Sequence, residues 1–189
     1  MSVTTDIIKS CDHGNAACTT SNTLALGKGE TMLKKNESKN QHWGKVDQLI
    51  EGWLKERQDL IILYVAVDGL KEIAPSDTPI SVKLQAFSQM LIDYVSAGHF
   101  EIYDELTQEA EEFQDDYSEL VTSVLPRIQE STELSLDFND KYANLELCVE
   151  SLDQVATDLS LLGEKMVERF ELEDKMIEVL HTRHRELVA

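Results

Sequence analysis

The stretch Leu91-Ile92-Asp93-Tyr94-Val95-Ser96-Ala97-Gly98-His99-Phe100-Glu101-Ile102-Tyr103-Asp104-Glu105-Leu106 decides the fold of this chain. On a helical wheel of about 100° per residue, its apolar positions recur three or four apart on one side. With the flanking residues, this stripe comprises Leu84, Phe87, Leu91, Tyr94, Gly98, Ile102, Leu106 and Ala110. Gly98 keeps the phase of the stripe, so we predict one long amphipathic helix from about Pro79 to Phe113.

Phe100 lies on the opposite side of this helix, about 175° from the centre of the stripe. Its neighbours on that side are small residues and carboxylates, namely Asp93, Ser96, Ala97 and Asp104. An aromatic ring in this position has no core to fill. Single exposed apolar residues are common on protein surfaces, so two interpretations stay open: a stray exposed ring, or an anchor for a partner protein.

The composition fits one folded domain with a strongly acidic surface. The chain has 189 residues, of which 42% are hydrophobic and 28% charged, and its net charge is −19. That charge argues against nucleic-acid binding, which requires a basic surface, and favours a basic partner. No apolar run approaches the roughly 20 residues of a membrane span, and the N-terminus lacks the apolar segment of a secretory signal.

Three cysteines, Cys11, Cys18 and Cys148, form an odd and scattered set. This usage is typical of a reducing compartment without structural disulfides, so we expect a cytoplasmic protein. Cys11, Asp12, His13 and Cys18 match no standard zinc spacing, and we expect no metal there.

Residues 1–40 show no sustained apolar period, which predicts a disordered tail followed by an all-helical domain over 41–189. Met32 is a candidate alternative start of translation. Residues 1–31 contain two lysines and three acidic residues, a net charge of −1, so the remaining chain carries −18. The acidity therefore belongs to the folded part.

Three further amphipathic helices are predicted. The first runs from about Gln41 to Asp68. The third begins near Tyr117, with a kink or short break near Ser123 because Pro126 follows. The last, from about Leu145 to Leu187, is predicted to be the longest. Four such helices with short connections indicate an all-α, four-helix-type bundle with long second and last helices.

Charged residues occupy core positions in two of these helices. Arg57 lies in the centre of the first stripe and Glu173 in the last, with Arg169 and Asp174 at the edges of the latter. Because a buried guanidinium needs carboxylate partners, we predict that Arg57 and Glu173 pair across the core. A structural pair is favoured over a catalytic or ligand-binding carboxylate. His99, at the stripe boundary, is predicted to be a structural histidine.

Signatures of an enzyme are weak. A four-helix bundle can hold two metal ions with Glu from two helices and Glu-x-x-His from two others. This chain has one such motif, Glu178-Val179-Leu180-His181, and no Gly-rich phosphate loop. We therefore expect no enzyme and no cofactor. A metal- or small-ligand-binding bundle of ferritin or hemerythrin type stays as the alternative.

Three separated blocks of sequence carry a family resemblance. They are Trp43-Gly44 with Gln48-Leu49-Ile50, Trp53-Leu54 and Glu56-Arg57-Gln58; Asp93 to Glu101 with Tyr103; and Glu168 to Asp174 with Ile177 to His181. In this order, over about residues 32–184, they resemble the regulator of sigma D (Rsd)/AlgQ family of bacterial anti-sigma factors. The wording is more similar to the AlgQ branch, the alginate regulatory proteins.

The resemblance implies an all-α protein that binds the primary sigma factor of RNA polymerase, chiefly its C-terminal region 4. That region reads the −35 promoter element and binds core polymerase. A protein that covers it would favour alternative sigma factors in stationary phase. The implied protein is a monomer that contacts neither nucleic acid nor membrane directly.

The resemblance also implies roles for single residues. Asp93 and Phe100 match positions that the family places at the sigma-binding surface, and Ser96, Ala97 and Asp104 lie beside them. Arg57, Glu173 and Asp174 match positions that belong to the core or scaffold.

Overall fold

The structure is a computed structural model that describes residues 26–68, 80–142 and 154–188. Its helices are α1 (Leu26–Asp68), α2 (Ile80–Ala97), α3 (Tyr103–Phe113), α4 (Ser118–Tyr142), α5 (Val155–Leu180) and α6 (Arg185–Val188). A π-helical turn, Gly98–Ile102, joins α2 to α3, and a 3-10 turn, Thr182–His184, precedes α6. The described ranges contain no strand, so the predicted all-α class is confirmed.

The helices α1, α2, α4 and α5 form an antiparallel bundle. Late residues of α1 lie beside early residues of α2, since the rings of Tyr64 and Phe87 are 5.9 Å apart. In the same way, late residues of α4 lie beside early residues of α5, where Lys141 Nζ is 2.9 Å from Asp158 Oδ2. Neighbouring helices thus pack along their lengths, except for α1 and α5, which approach each other least.

The predicted second helix is continuous from Ile80 to Phe113, and every member of its apolar stripe is buried. It ends at Phe113 because Gln114 adopts a left-handed conformation with a φ of 65°. The Gln114 N–H donates to the carbonyls of Ala110 and Glu111, which caps the last turn.

The first and last helices differ from the prediction at their ends. The first helix begins at Leu26, not Gln41, and the last begins at Val155 after a turn at Gln154, so α1 is the longest helix. Around residues 39–42, α1 packs through charged groups and not through an apolar stripe. Lys39, for example, lies 4.4 Å above the ring of Phe113.

Three earlier predictions lie outside the described residues. These are the disorder of residues 1–25, the helix start at Pro79, and the helical stretch 145–153.

The third helix was predicted to have a kink or a short break near Ser123. There is no break, because α4 is one continuous helix that contains Pro126. Pro126 and Thr122 both lie on the exposed side. The carbonyl that loses its N–H partner to proline therefore faces solvent, where water can bond to it.

The carboxylate of Glu173 is the centre of a buried polar network. Its Oε2 accepts hydrogen bonds from Tyr94 Oη and from Arg57 Nη2, the latter at 3.1 Å. Its Oε1 accepts from Tyr103 Oη at 2.7 Å and from Arg169 Nε at 2.6 Å. Glu173 and Arg169 are both fully buried. Each carboxylate oxygen thus has one arginine and one tyrosine as donors.

The two arginines of this network reach further groups on either side. Arg57 donates to Tyr94 Oη and, at 2.5 Å, to Asp174 Oδ1 at the surface. Arg169 donates to the hydroxyls of Ser131 and Thr132 on α4. The network therefore connects α1, α2, α3, α4 and α5 around one carboxylate.

A second buried carboxylate, Glu109, lies at the end of the bundle between two histidines. Its oxygens are each 2.7 Å from an imidazole Nδ1, of His181 and His184. The Nε2 atoms of these rings lie 3.2 Å from Asp47 Oδ1 and 2.9 Å from Asp115 Oδ2. This cluster ties the end of α5 to α1 and α3. The predicted last helix stops at Leu180 because His181 turns into the cluster.

The Glu173 network predicts a large cost for removing its centre. We expect Glu173→Ala to lower the free energy of unfolding by about 3–5 kcal/mol, because it leaves the buried Arg169 without a carboxylate and Arg57 with only Asp174 at the surface. The double variant Arg57→Met/Glu173→Leu should stay destabilised, since Arg169 is still buried and charged. Adding Arg169→Met should restore part of the loss. Urea unfolding measures all three variants, and full recovery in the double variant would contradict this assignment.

The Glu109 cluster predicts a pH dependence of stability. Burial lowers the pKa of His181, but hydrogen bonds to Glu109 and Asp47 and their charges outweigh it, so this pKa lies above its ordinary value. The contribution is complete below about pH 6.5, the unfolded pKa, and is lost as pH rises through the folded pKa. We expect His181→Gln to reduce the fall in unfolding free energy between about pH 6 and pH 8. Equal falls in both proteins would contradict it.

Candidate protein-binding face around Phe100

Phe100 is the most exposed of the large apolar side chains in the described residues, with 77% of its surface accessible. The ring lies on the outer side of the π-helical turn, where the helical wheel placed it. The imidazole of His99 meets it edge-on, with ring centroids 5.0 Å apart and planes at 85°. Phe100 thus presents an apolar surface that no other part of the described chain covers.

The predicted neighbours of Phe100 lie around it on the same helical rod. Asp93 and Asp104 are exposed, and Ser96 and Ala97 are half-buried. Ala97 also packs against the edge of the core. Beside the ring, the small side chains of Ser96 and Ala97 leave the helix backbone open to approach. Asp93 and Asp104 make both ends of this surface acidic.

The carboxylates on this face have few partners within the protein. Asp93 Oδ1 accepts a hydrogen bond of 2.9 Å from Gln89 Nε2, a neutral group. Glu101 and Asp104 are exposed and form no ion pair with the residues that the structure describes. These three negative charges are available to cationic groups of a partner.

The π-helical turn Gly98–Ile102 keeps the apolar stripe of this helix facing the core while Phe100 stays on the outside. The buried stripe advances in steps of four residues from Tyr94 to Ala110, and each such step carries an α-helix about 40° beyond a full turn. In the turn, the N–H of Tyr103 donates to the carbonyl of Gly98, five residues back. The wider turn returns the stripe to the core. The sequence pattern alone did not reveal it.

Gly98 allows the turn to lie directly against α1. A Cβ at this position would be 2.8 Å from Trp53 Cζ2 and 3.0 Å from Tyr103 Oη. The indole of Trp53 stacks on Tyr94 at 5.0 Å and donates from Nε1 to the Tyr94 carbonyl at 3.2 Å. Tyr103, directly after the turn, meets the same indole edge-on at 5.9 Å, so tyrosines on both sides of the turn pack on Trp53.

The Glu173 network holds this turn from beneath. Tyr94 and Tyr103, which flank the turn, both donate their hydroxyl protons to Glu173. Burial raises the pKa of both phenols well above their usual range, and the negative charge of Glu173 raises it further. Both hydroxyls therefore stay protonated and keep donating at any physiological pH. The two phenols beneath the outer face therefore remain neutral hydrogen-bond donors.

The prediction for His99 is wrong, because its side chain is exposed and not part of the core. The π-helical turn accounts for the difference, since it changes the direction in which residues 98–102 point. His99 instead contacts Phe100 on the outer face.

The metal-binding alternative gains no site from the described residues. Among them, no group of three or more His, Cys, Asp or Glu side chains is arranged to hold a metal ion. Glu178 of the Glu-x-x-His motif is exposed while His181 is buried against Glu109, so the two residues of that motif do not converge. Cys11, His13 and Cys18 lie outside the described residues. In the same part of the chain, no helix has the length and apolar character needed to cross a bilayer.

Sequence reasoning missed several residues that hold the face and the end of the bundle. Arg169, placed at the edge of the last stripe, is fully buried. Glu109 lies seven residues after Ile102, two turns along the same stripe, and this phase was a usable signal for its burial. The buried contacts of His181 and His184 with Glu109 depend on tertiary packing, and no local pattern in the sequence indicates them.

The packing at Gly98 generates a prediction with a matched control. We expect Gly98→Ala to lower the free energy of unfolding by about 1–3 kcal/mol, because the new methyl group must displace Trp53 or the turn. Gly52→Ala, at a helical position where a Cβ meets nothing within 4 Å, should instead stabilise by up to about 1 kcal/mol. Thermal and urea unfolding check both variants. Similar stabilities for the two would show that Gly98 is not closely packed.

Comparison with known proteins gives a consistent result over most of the chain. Residues 32–181 match the family described as "Regulator of RNA polymerase sigma(70) subunit, Rsd/AlgQ". The chain is 36% identical over 148 residues to the Regulator of sigma D of Yersinia enterocolitica, which covers 78% of this chain and 89% of that protein. No solved structure matches the chain.

Two further relatives carry the same name. The Regulator of sigma D of Yersinia pseudotuberculosis is 35% identical, with 78% of this chain and 88% of that protein covered. That of Sodalis glossinidius is 32% identical, with 78% and 97% covered. With the family match and these relatives, the chain belongs to the Rsd/AlgQ family of regulators of the RNA polymerase sigma(70) subunit.

Proposed function

We propose that this protein is an anti-sigma factor that binds region 4 of the primary sigma factor through the face around Phe100. By occupying that region it limits the use of this sigma factor by RNA polymerase in stationary phase. The observation that carries the proposal is an aromatic side chain, 77% exposed, among carboxylates without cationic partners in the described chain. The chain's membership of a family of sigma(70) regulators supplies the class of partner.

The chemistry of the two surfaces supports this pairing. A protein segment that binds DNA presents lysine and arginine side chains. A chain with a net charge of −19 attracts such a segment from a distance and repels acidic competitors. At contact, Asp93, Glu101 and Asp104 offer their carboxylates to the cationic groups, and Phe100 supplies the apolar contact that a charge pair alone lacks.

The spacing of the face suits a helix of the partner. Asp93 and Phe100 are seven residues apart, about 10 Å along the rod. Ser96 and Ala97 lie between them and are small, so a partner helix can approach the backbone there. Truncation of a central aromatic contact commonly costs 2 kcal/mol or more of binding free energy. Phe100 is the residue of this face best suited to that role.

The proposal also includes a branch of the family, a compartment and an oligomeric state. We propose that the chain is nearer to the AlgQ branch than to the enterobacterial regulators, because the residues of the three sequence blocks are more similar to that branch. We propose a cytoplasmic monomer, because two copies that each carry a charge of −19 repel one another.

The anchoring role of Phe100 is tested by Phe100→Ala. We expect about a thirtyfold loss of affinity for purified sigma region 4, equivalent to about 2 kcal/mol. The circular dichroism spectrum should not change, because the ring does not contribute to the core. Leu187→Ala, which truncates another apolar side chain, 71% exposed, is the control and should bind normally. Wild-type affinity in Phe100→Ala would remove the ring from the interface.

The electrostatic part is tested by Asp93→Lys. Glu133→Lys is a matched control, because Glu133 is also exposed and also accepts a hydrogen bond from a glutamine four residues earlier. Both variants change the net charge by two units. We expect Asp93→Lys to weaken binding at least tenfold in a calorimetric titration and Glu133→Lys to have little effect. Equal losses would assign the effect to overall charge and not to this face.

A further inference from the structure

An apolar groove runs between α1 and α5, where these two helices diverge. Ile61 and Val65 of α1 form one wall, Val167 and Phe170 of α5 form the other, and Leu91 of α2 lies in the floor. The groove encloses about 310 Å³. Leu91 in its floor belongs to the buried stripe of the second predicted helix, whereas Phe100 is exposed on the opposite side of that helix.

Polar bridges between α1 and α5 close the groove at both ends. At one end, Tyr64 Oη donates to the Leu159 carbonyl at 3.1 Å, and Gly163 leaves the space that the Tyr64 ring occupies. At the other end, Arg57 pairs with Asp174 and lies over the ring of Phe170. These bridges hold the helices apart by a fixed amount, so the groove is preformed.

The length of the groove limits what can enter it. From Gly163 to Phe170, α5 advances seven residues, or about 10 Å. Side chains one turn apart on a helix are about 5–6 Å from each other. The groove therefore accepts two apolar side chains of a partner helix, separated by three or four residues.

The walls of the groove are apolar but accessible. Ile61, Val65 and Val167 expose 42%, 61% and 58% of their surfaces, and the adjoining Ile62 exposes 64%. Scattered exposed apolar residues are ordinary, whereas a continuous patch that lines a groove is typical of a binding site. Helix-in-groove recognition uses such a surface.

Charge at the rim identifies the kind of partner. Glu164 and Glu171 lie three residues before and four residues after Val167 on α5, so they flank the groove on the same side of that helix. Both are exposed, and neither forms an ion pair with any residue in the described ranges. A second copy of this chain fits poorly, since it brings a net charge of −19. A cationic partner fits well.

We propose that this groove binds a basic amphipathic helix of a partner protein. Two apolar side chains, one turn apart, insert between Ile61 and Val167, and lysine or arginine side chains pair with Glu164 and Glu171. The site is separate from the Phe100 face, so both can be occupied at once. It does not depend on the proposed sigma binding.

The test uses the full chain and a synthetic 18-residue helical peptide with a leucine stripe flanked by lysines. A peptide of the same composition, scrambled so that no stripe forms, is the reference. Fluorescence anisotropy at about 0.15 M salt measures binding, because nonspecific surface attraction is largely screened there. We expect the striped peptide to bind at least tenfold more tightly than the scrambled one.

Variants of the chain then locate the bound peptide. Val167→Glu and the double variant Glu164→Lys/Glu171→Lys should each weaken it at least tenfold. Asp59→Lys/Asp137→Lys alters two other exposed carboxylates by the same total charge and should leave binding unchanged. Circular dichroism verifies each fold, and Val167→Thr replaces Val167→Glu if the latter unfolds.

Several results would overturn the proposal. Equal binding of the two peptides, or equal loss in both double variants, would mean that only bulk charge is recognised. Failure of the wild type to bind the striped peptide would mean that the groove is not open to such a helix. A dimer in sedimentation experiments that Val167→Glu dissociates would assign the groove to a second copy.

Discussion

A single buried carboxylate constrains this bundle more than any other group. Glu173 has four hydrogen-bond donors and no access to water. The donors come from α1, α2, α3 and α5. All four bonds can form only if each of these helices has one particular position along the bundle axis. Apolar stripes alone permit a helix to slide by a turn. The network removes that freedom, because a shift would leave charged groups buried and unpaired.

This constraint extends to the outer face. Tyr94 and Tyr103 lie on either side of the π-helical turn, and both are held by Glu173 and by the ring of Trp53. The direction of Phe100 is therefore set by groups on the other side of the helix. An outer face held in this way is rigid, so a partner that bound there would not have to order it.

The sequence predicted the features that follow from regular helices. The stripe from Leu84 to Ala110 and the outward direction of Phe100 depend only on periodicity, and both agree with the structure. The contact between Arg57 and Glu173 could be predicted because each charge interrupts an apolar stripe. The exposure of His99, the burial of Arg169 and the end of α5 at Leu180 could not be predicted from the sequence. Each depends on a π-helical turn or on contacts between distant residues, which a wheel with one fixed period cannot represent.

The π-helical turn has an evolutionary consequence. It inserts one extra residue into the helical path, and that residue is accommodated on the side facing solvent while the inner side keeps its register. Substitutions on the outside of the turn therefore do not affect the core, whereas the inner residues must be kept because they fix the direction of Phe100. Selection can therefore change the outer side while the inner side stays the same. A lineage with this architecture can vary the residues of its exterior while it conserves the interior that fixes their direction.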